Sequence, residues 1–384
     1  MRSGYLSCIF FTLFTNCRSE RVDYLAQHDT PISDLPAIID APLGDGSVAE
    51  VAESPETEEL TESPEVEADV LDTLVEGDSG PNPSAITLTS PRVLEGFALD
   101  SVAIWGGPIS GADQASFDFP SGIALSPSEG EVYVYDGGNE RIKAYSVDGQ
   151  LLRVWPHPSG LCGTHQSSIA VAQDGTLFVA DEKTHGVIGY SPSGAILARW
   201  SIPNASSLCD LPGHAHGLSI MSDGTLAFTE IVSRQILFFS LDGTLRRTTG
   251  MGAQSDELFI AGPGIVVESQ RQVYATDLTR IAVFDSSGVL RRFIVGPKSS
   301  PFHYLQTGAA TIGDWVAFIR ADEPPGFYAI RPGSLTVTHQ WVARNGHGAG
   351  ELLNPWAVAI AKSGRWYVSE AYGHRIQVFV STFD

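Results

Sequence analysis

"SGIALSPSEGEVYVYDGGNERIKAYSVDGQLLRVW", Ser121 to Trp155, contains four short apolar runs separated by turns built on Gly, Asp and Ser. Within each run, apolar and polar residues tend to alternate, which suits strands with one face buried rather than a helix with its wider period. The "VDGQ" between the last two runs is the chemistry of a tight hairpin, because Gly supplies the positive φ that such a turn needs. The stretch therefore reads as four antiparallel strands in sequence order.

The same pattern returns along the chain. "SSIAVAQDGTLFVADEKTHGVIGYSPSGAILARW" begins at Ser167, "HGLSIMSDGTLAFTEIVSRQILFFSLDGTLRRTTG" at His216, and "PGIVVESQRQVYATDLTRIAVFDSSGVLRRFIVG" at Pro263. "PWAVAIAKSGRWYVSEAYGHRIQVF" begins at Pro355, and a weaker copy, in which Pro324 and Pro325 lengthen or distort the middle turn, lies between Thr307 and Val342. The turn glycines Gly149, Gly194, Gly243, Gly288 and Gly333 recur about every 45 residues, the spacing of four-stranded propeller blades.

The last copy lacks a fourth strand, and "GFALDSVAIWGG" from Gly96 is a fourth strand with nothing before it. Pairing the two halves closes a ring and removes exposed sheet edges. The expectation is an all-β, six-bladed β-propeller over residues 92–384, closed by pairing an N-terminal strand with the last blade.

The copies resemble NHL repeats on the strength of "FPSGIAL", "VYVYDGGNERIKAY" and "DGQLLRVW" in the first and "NPWAVAI" and "WYVSEAYGHRIQVF" in the last. The resemblance covers the whole folded part and implies a six-bladed propeller. It says little about activity.

Upstream the composition changes. No Lys or Arg occurs between Val22 and Pro91, while "EVAESPETEELTESPEVEADVLDTLVEGD", Glu50 to Asp78, concentrates much of the net charge of −22. So acidic and Pro-rich a segment cannot bury enough apolar surface to offset its chain entropy, so residues 18–91 read as a disordered, self-repelling tether. The acidity also argues against nucleic acid as a partner.

Residues 1–17, "MRSGYLSCIFFTLFTNC", have one Arg, an apolar stretch too short to span a bilayer, and then Cys17, which is the order of a signal leader. Cys17 stands where bacterial lipoproteins carry the lipidated cysteine, although Asn16 replaces the usual Gly, Ala or Ser. A lipid-anchored protein of the bacterial cell envelope, periplasmic or surface-exposed, is the leading expectation; plain secretion and an uncleaved anchor are the alternatives. In that oxidising setting Cys162 and Cys209, in the loops leading into the second and third copies, are candidates for a disulfide.

In a propeller the first strand of each blade lines the channel, and the loops leading into it share one face with the turns that follow strand two. Strand two ends on Asp136, Asp181, Glu230, Asp277 and Glu370, with Arg320 in the weaker copy. Each carboxylate can pair with its own turn and with the Arg of its blade, as Asp136 with Arg141, Asp277 with Arg280 and Glu370 with Arg375. Alternatively they form a ring of negative charge that draws in a cationic ligand.

His165 and His214 occupy equivalent positions in neighbouring copies, where the others have Phe119, Leu305 and Asn354, and His216 lies two residues deeper. Three imidazoles at one mouth could hold zinc, or the site could take calcium, but no cofactor is required by the pattern. "HGL" is similar to motifs in streptogramin lyases and in the peptide-amidating lyase; only His216 stands in that setting here, a candidate catalytic residue that a carboxylate such as Glu230 would assist. His185, His374 and His347 read as solvated turn residues.

The leading expectation is thus a binding module, a monomer that recognises a protein, peptide or glycan at the cell envelope with one face of the ring, and not an enzyme. The alternative is a metal-dependent lyase or hydrolase at the channel mouth.

Overall fold

The computed structural model describes residues 85–87, 98–157, 168–181, 186–202, 217–230, 235–249, 266–277, 280–295, 306–321, 324–331 and 337–382. All of them belong to one compact unit, Ser79–Asp384. The leader, Cys17, Cys162, Cys209, His165, His214 and His216 lie outside the described residues.

Six antiparallel four-stranded units form the blades of a ring, five of them from strands consecutive in the chain. Blade 1 runs through Pro120–Leu125, Glu131–Asp136, Arg141–Ser146 and Leu151–Pro156. Blade 2 begins at Ile169 and ends at Ser201, blade 3 runs from Leu218 to Thr249, blade 4 from Val266 to Val295, and blade 5 from Gln306 to Val342. Blade 6 takes three strands from the C-terminal end, Pro355–Ile360, Arg365–Glu370 and Arg375–Thr382, and its outer strand, Ala98–Gly106, from the N-terminal side. Ala98 pairs with Thr382 and Gly106 with Arg375. The ring is a six-bladed propeller closed as the sequence predicts.

Each blade is apolar on both faces, so the core is not one mass but six wedges, each between neighbouring blades. Tyr133, Tyr135 and Trp155 of blade 1, for example, pack with Val179, Ile188 and Tyr190 of blade 2. Fully burying one such side chain stabilises the fold by about 1.5–3 kcal/mol, and no blade can bury both faces without two neighbours.

The recurrent turn glycine has a packing role as well as a conformational one. Gly149, Gly194 and Gly243 have φ near +89°, +90° and +88°, a region that any Cβ strains. Each also rests on the tryptophan that ends the outer strand of the preceding blade: Gly149 on Trp105, Gly194 on Trp155, Gly243 on Trp200. A Cβ at Gly194 or Gly243 would stand 2.8 or 2.7 Å from the indole. The Gly turn and the terminal Trp of the repeat are one contact, made between consecutive blades.

One feature departs from the sequence reading. Ala85–Thr87, inside the segment expected to be a tether, forms a short strand parallel to the outer strand of blade 4, Leu290–Val295. The physical reason is local: "SAITLTS", Ser84 to Ser90, has no charge and is rich in β-branched residues, which favour a pleated strand. In blade 5 the turn containing Pro324 and Pro325 is longer, as the sequence reading allows, with five residues between Arg320 and Gly326 against four between Asp136 and Arg141, while Arg320 still pairs with Gly326.

Candidate functional site

The six first strands line a central channel of about 360 Å³ whose walls are mostly small, including Gly122, Gly217, Gly308 and Ala357, with Ser121, Ser168, Ser219, Thr311 and Glu268 adding polar groups. Further charged side chains stand at its mouth. There the second strands of all six blades end where the sequence places them, on Asp136, Asp181, Glu230, Asp277, Arg320 and Glu370.

Asp136 and Glu370 are wholly buried, and each holds the loop leading into its own blade. Asp136 accepts hydrogen bonds from Arg141 at 2.7 Å, the Asp118 backbone N–H at 2.7 Å and Asn139 at 3.0 Å. Arg141 then donates to the carbonyls of Ala112, Asp113 and Ser116. Blade 6 repeats the device: Glu370 accepts from Arg375 at 2.8 Å, the Leu353 N–H at 2.7 Å and Gln377 at 2.6 Å. Arg375 donates in turn to the carbonyls of Gly346, His347, Gly348 and Glu351.

These two carboxylates are therefore clamps and not members of an open ring of charge, because a charge neutralised within 3 Å by its own Arg has little reach. Burial pushes the Glu370 carboxyl above its ordinary value, and Arg375 opposes the shift. Glu230, at the same position in blade 3, is also buried. The side chains of Asp181 and Asp277 lie outside the described residues.

The sequence reading missed Lys143. It stands two residues after Arg141 on the same face, as Gln377 does after Arg375, so period-2 alternation was the available signal. Its ammonium is fully buried, 3.5 Å from Asp136, donates to the carbonyls of Gln114 and Ser116, and sits 4.1 Å from the centre of the Phe117 ring. Burial lowers it to about 8, with Asp136 opposing.

An unfolded chain holds this proton up to the ordinary lysine value of 10.5. Between pH 8 and that value the unfolded state binds more protons, so the group adds stability as pH rises. Relative to Lys143→Gln, which copies blade 6, the wild-type chain should gain on the order of 1–2 kcal/mol between pH 7 and pH 9.5. Urea midpoints at the two pH values check this, and parallel pH dependence in both proteins would contradict it.

The clamps present an aromatic group at the mouth between blades 6 and 1. Phe119, just before the first strand of blade 1, meets Tyr372 edge-on at 5.4 Å and Trp356 at 6.1 Å between ring centroids. Trp356 lines the channel, Tyr372 is 38% exposed, and Phe119 and Trp356 are half-buried. Phe119 and Asn354 hold φ of +52° and +49°. The equivalent loop position in blades 1 and 6 is thus a left-handed one, which the side chain and backbone contacts of the clamp impose.

His374 was expected to be a solvated turn residue, but it is half-buried in this group. Its Nδ1 accepts the Phe119 N–H at 3.3 Å and lies 3.5 Å from Asp118. Burial pulls its pKa below the ordinary value, with Asp118 and Asp136 opposing. A neutral ring with its proton on Nε2 satisfies the Phe119 bond, whereas a protonated Nδ1 could not accept it. His157, also unforeseen, is buried with Nδ1 2.8 Å from the Tyr190 hydroxyl. Among the described residues, no group of three or more His, Cys, Asp or Glu side chains is placed to hold a metal ion.

A family model supplies the first outside comparison. Residues 111–222 match the SMP-30/Gluconolactonase/LRE-like region. The match spans blade 1, blade 2 and the first strand of blade 3, so the chain is similar to that propeller family over this part. No curated protein matches the chain significantly.

Among solved structures, a streptogramin B lyase is similar with a TM-score of 0.52 and 13% identity, over 76% of this chain and 100% of its own. The virginiamycin B lyase of Staphylococcus aureus gives a TM-score of 0.52 at 15% identity, over 75% of this chain and 100% of its own. A protein of unknown function from Bacteroides thetaiotaomicron gives 0.54 at 15%, over 74% of this chain and 76% of its own. At such identities the likeness is one of fold.

Proposed function

We propose that this chain is an exported propeller, lipid-anchored through Cys17 at the bacterial cell envelope, that uses the mouth of its ring to bind a protein, peptide or glycan. The observation that carries this reading is the group formed by Phe119, Trp356 and Tyr372 on a rigid, doubly clamped rim. Partly exposed aromatic side chains supply large contact area at low cost in conformational entropy, and a scaffold with variable loops suits recognition.

The test is retention on peptide and glycan arrays by the wild-type chain, Tyr372→Ala and Trp356→Ala. A ligand held by the wild type should lose about 1–3 kcal/mol of binding in either variant and should be unaffected by chelators. The competing reading is a metal-assisted lyase or hydrolase with His165, His214 or His216 as metal ligands, and His216 and Glu230 as catalytic groups. A stoichiometric zinc or calcium that is lost in His216→Ala, measured by plasma mass spectrometry, would favour the enzyme.

A further inference from the structure

The outer strands of blades 1–4, Leu151–Pro156, Ile196–Ser201, Leu245–Thr249 and Leu290–Val295, contain Arg153, Arg199, Arg246, Arg247, Arg291 and Arg292 and no Asp or Glu. In a chain with 23 Lys and Arg against 45 Asp and Glu, this is a local reversal of charge. The reversal is incompletely compensated. Arg153 pairs with Glu131 and Arg291 with Asp285, and Arg247 lies over the Phe238 ring. Arg199 and Arg246 are exposed and form no ion pair among the described residues, although Asp242 lies near enough for Arg246 to help lower its pKa. Beside them Ile196, Leu197 and Leu245 are 54%, 60% and 39% exposed.

The edge of such a strand also offers a row of backbone N–H and C=O groups that seek a partner. Blade 4 shows how that need is met here: Ala85–Thr87 adds to Leu290–Val295 in parallel, Ala85 opposite Phe293 and Thr87 opposite Val295. Blades 2 and 3 have four strands each among the described residues, and their outer edges carry a similar aliphatic and Arg pattern.

We propose that the outer edges of blades 2 and 3 each dock an extended acidic segment of a partner protein, added to that edge as a further strand, with carboxylates on Arg199 and small apolar side chains on Ile196 and Leu197 at blade 2, and with carboxylates on Arg246 and small apolar side chains on Leu245 at blade 3. Strand addition satisfies the edge backbone, and the arginines select for acid. An anionic lipid surface meets the charge but not the row of backbone groups, and a nucleic acid is repelled by the net charge.

The test uses the full chain and fluorescent twelve-residue peptides alternating Val or Thr with Glu. It compares them with the Lys counterpart, the Glu peptide N-methylated at alternate residues, and phosphatidylglycerol vesicles. The Glu peptide should bind, weaken with added salt and lose about tenfold or more in affinity to Arg199→Glu/Arg246→Glu. The Lys and N-methylated peptides should bind far less. Arg199→Gln/Arg246→Gln should give an intermediate loss, and thermal unfolding of both variants should match that of the wild type, since both sites are exposed. Equal binding of the Glu and Lys peptides, no loss in the variants, or vesicle binding with the same arginine dependence and no effect of N-methylation would each overturn the proposal.

Discussion

Arg375→Ala should lower the unfolding free energy by about 3–5 kcal/mol, the cost of leaving a buried carboxylate without its partner. Arg375 is 2% and Glu370 0% exposed, measured on their side chains, so water cannot replace the lost guanidinium. The damage extends beyond the pair, because the same guanidinium holds the carbonyls of Gly346, Gly348 and Glu351, and the loop leading into blade 6 depends on them. Glu370→Gln should cost less, since Gln can still accept from the Leu353 N–H. Urea unfolding followed by tryptophan fluorescence reads both. A loss below 1 kcal/mol for Arg375→Ala would mean that the loop is held by something other than this clamp.

The second large effect concerns closure. A chain that begins at Gly107 lacks Ala98–Gly106, and with it the buried Leu99 and Trp105. Large-to-small changes at two such sites cost about 5 kcal/mol or more together, a sizeable share of the stability of an ordinary domain. Trp105 fills the wedge between blades 6 and 1, stacking on Tyr145 at 5.1 Å and contacting Tyr367 at 5.6 Å, and Leu99 lies in the wedge between blades 5 and 6, so both neighbouring wedges open. The shortened chain should associate on size exclusion and lose its cooperative transition, and a peptide covering residues 98–106 should restore both. A monomeric, cooperatively folding chain without the strand would show that the ring does not need closing.

How much of this was legible in the sequence follows from what sets each feature. Blade strands such as "VYVYD" and "WYVSE" are set by local alternation and by turns that only Gly fits comfortably, so pattern alone places them. The same pattern put Asp136 and Glu370 at the ends of their strands beside Arg141 and Arg375. The mouth itself was less legible. Phe119, Trp356, Tyr372 and His374 come from three separate stretches of chain, and they meet only because blade 6 is closed against blade 1. A histidine in a polar turn reads as solvated until the neighbouring blade brings Phe119 and Asp118 to it. Ala85–Thr87 was masked by the acidic run before it, although its own few residues are good strand formers.

The pairing of Ala98–Gly106 with Arg375–Thr382 also sets an order in time. Ser101 is hydrogen-bonded to Gln377 across 276 positions of the chain, so a strand synthesised before the rest of the ring finds its partner after nearly everything else. At about 5–20 residues per second that wait is roughly 15–55 s of synthesis. Throughout it the strand keeps Val102 and Ile104, exposed even in the finished ring, beside an unpaired edge. Until Arg375–Thr382 is made, Ala98–Gly106 can pack on blade 1 through Trp105 but has no antiparallel partner strand, so a chain clipped within Arg375–Thr382 leaves unpaired a strand made long before it.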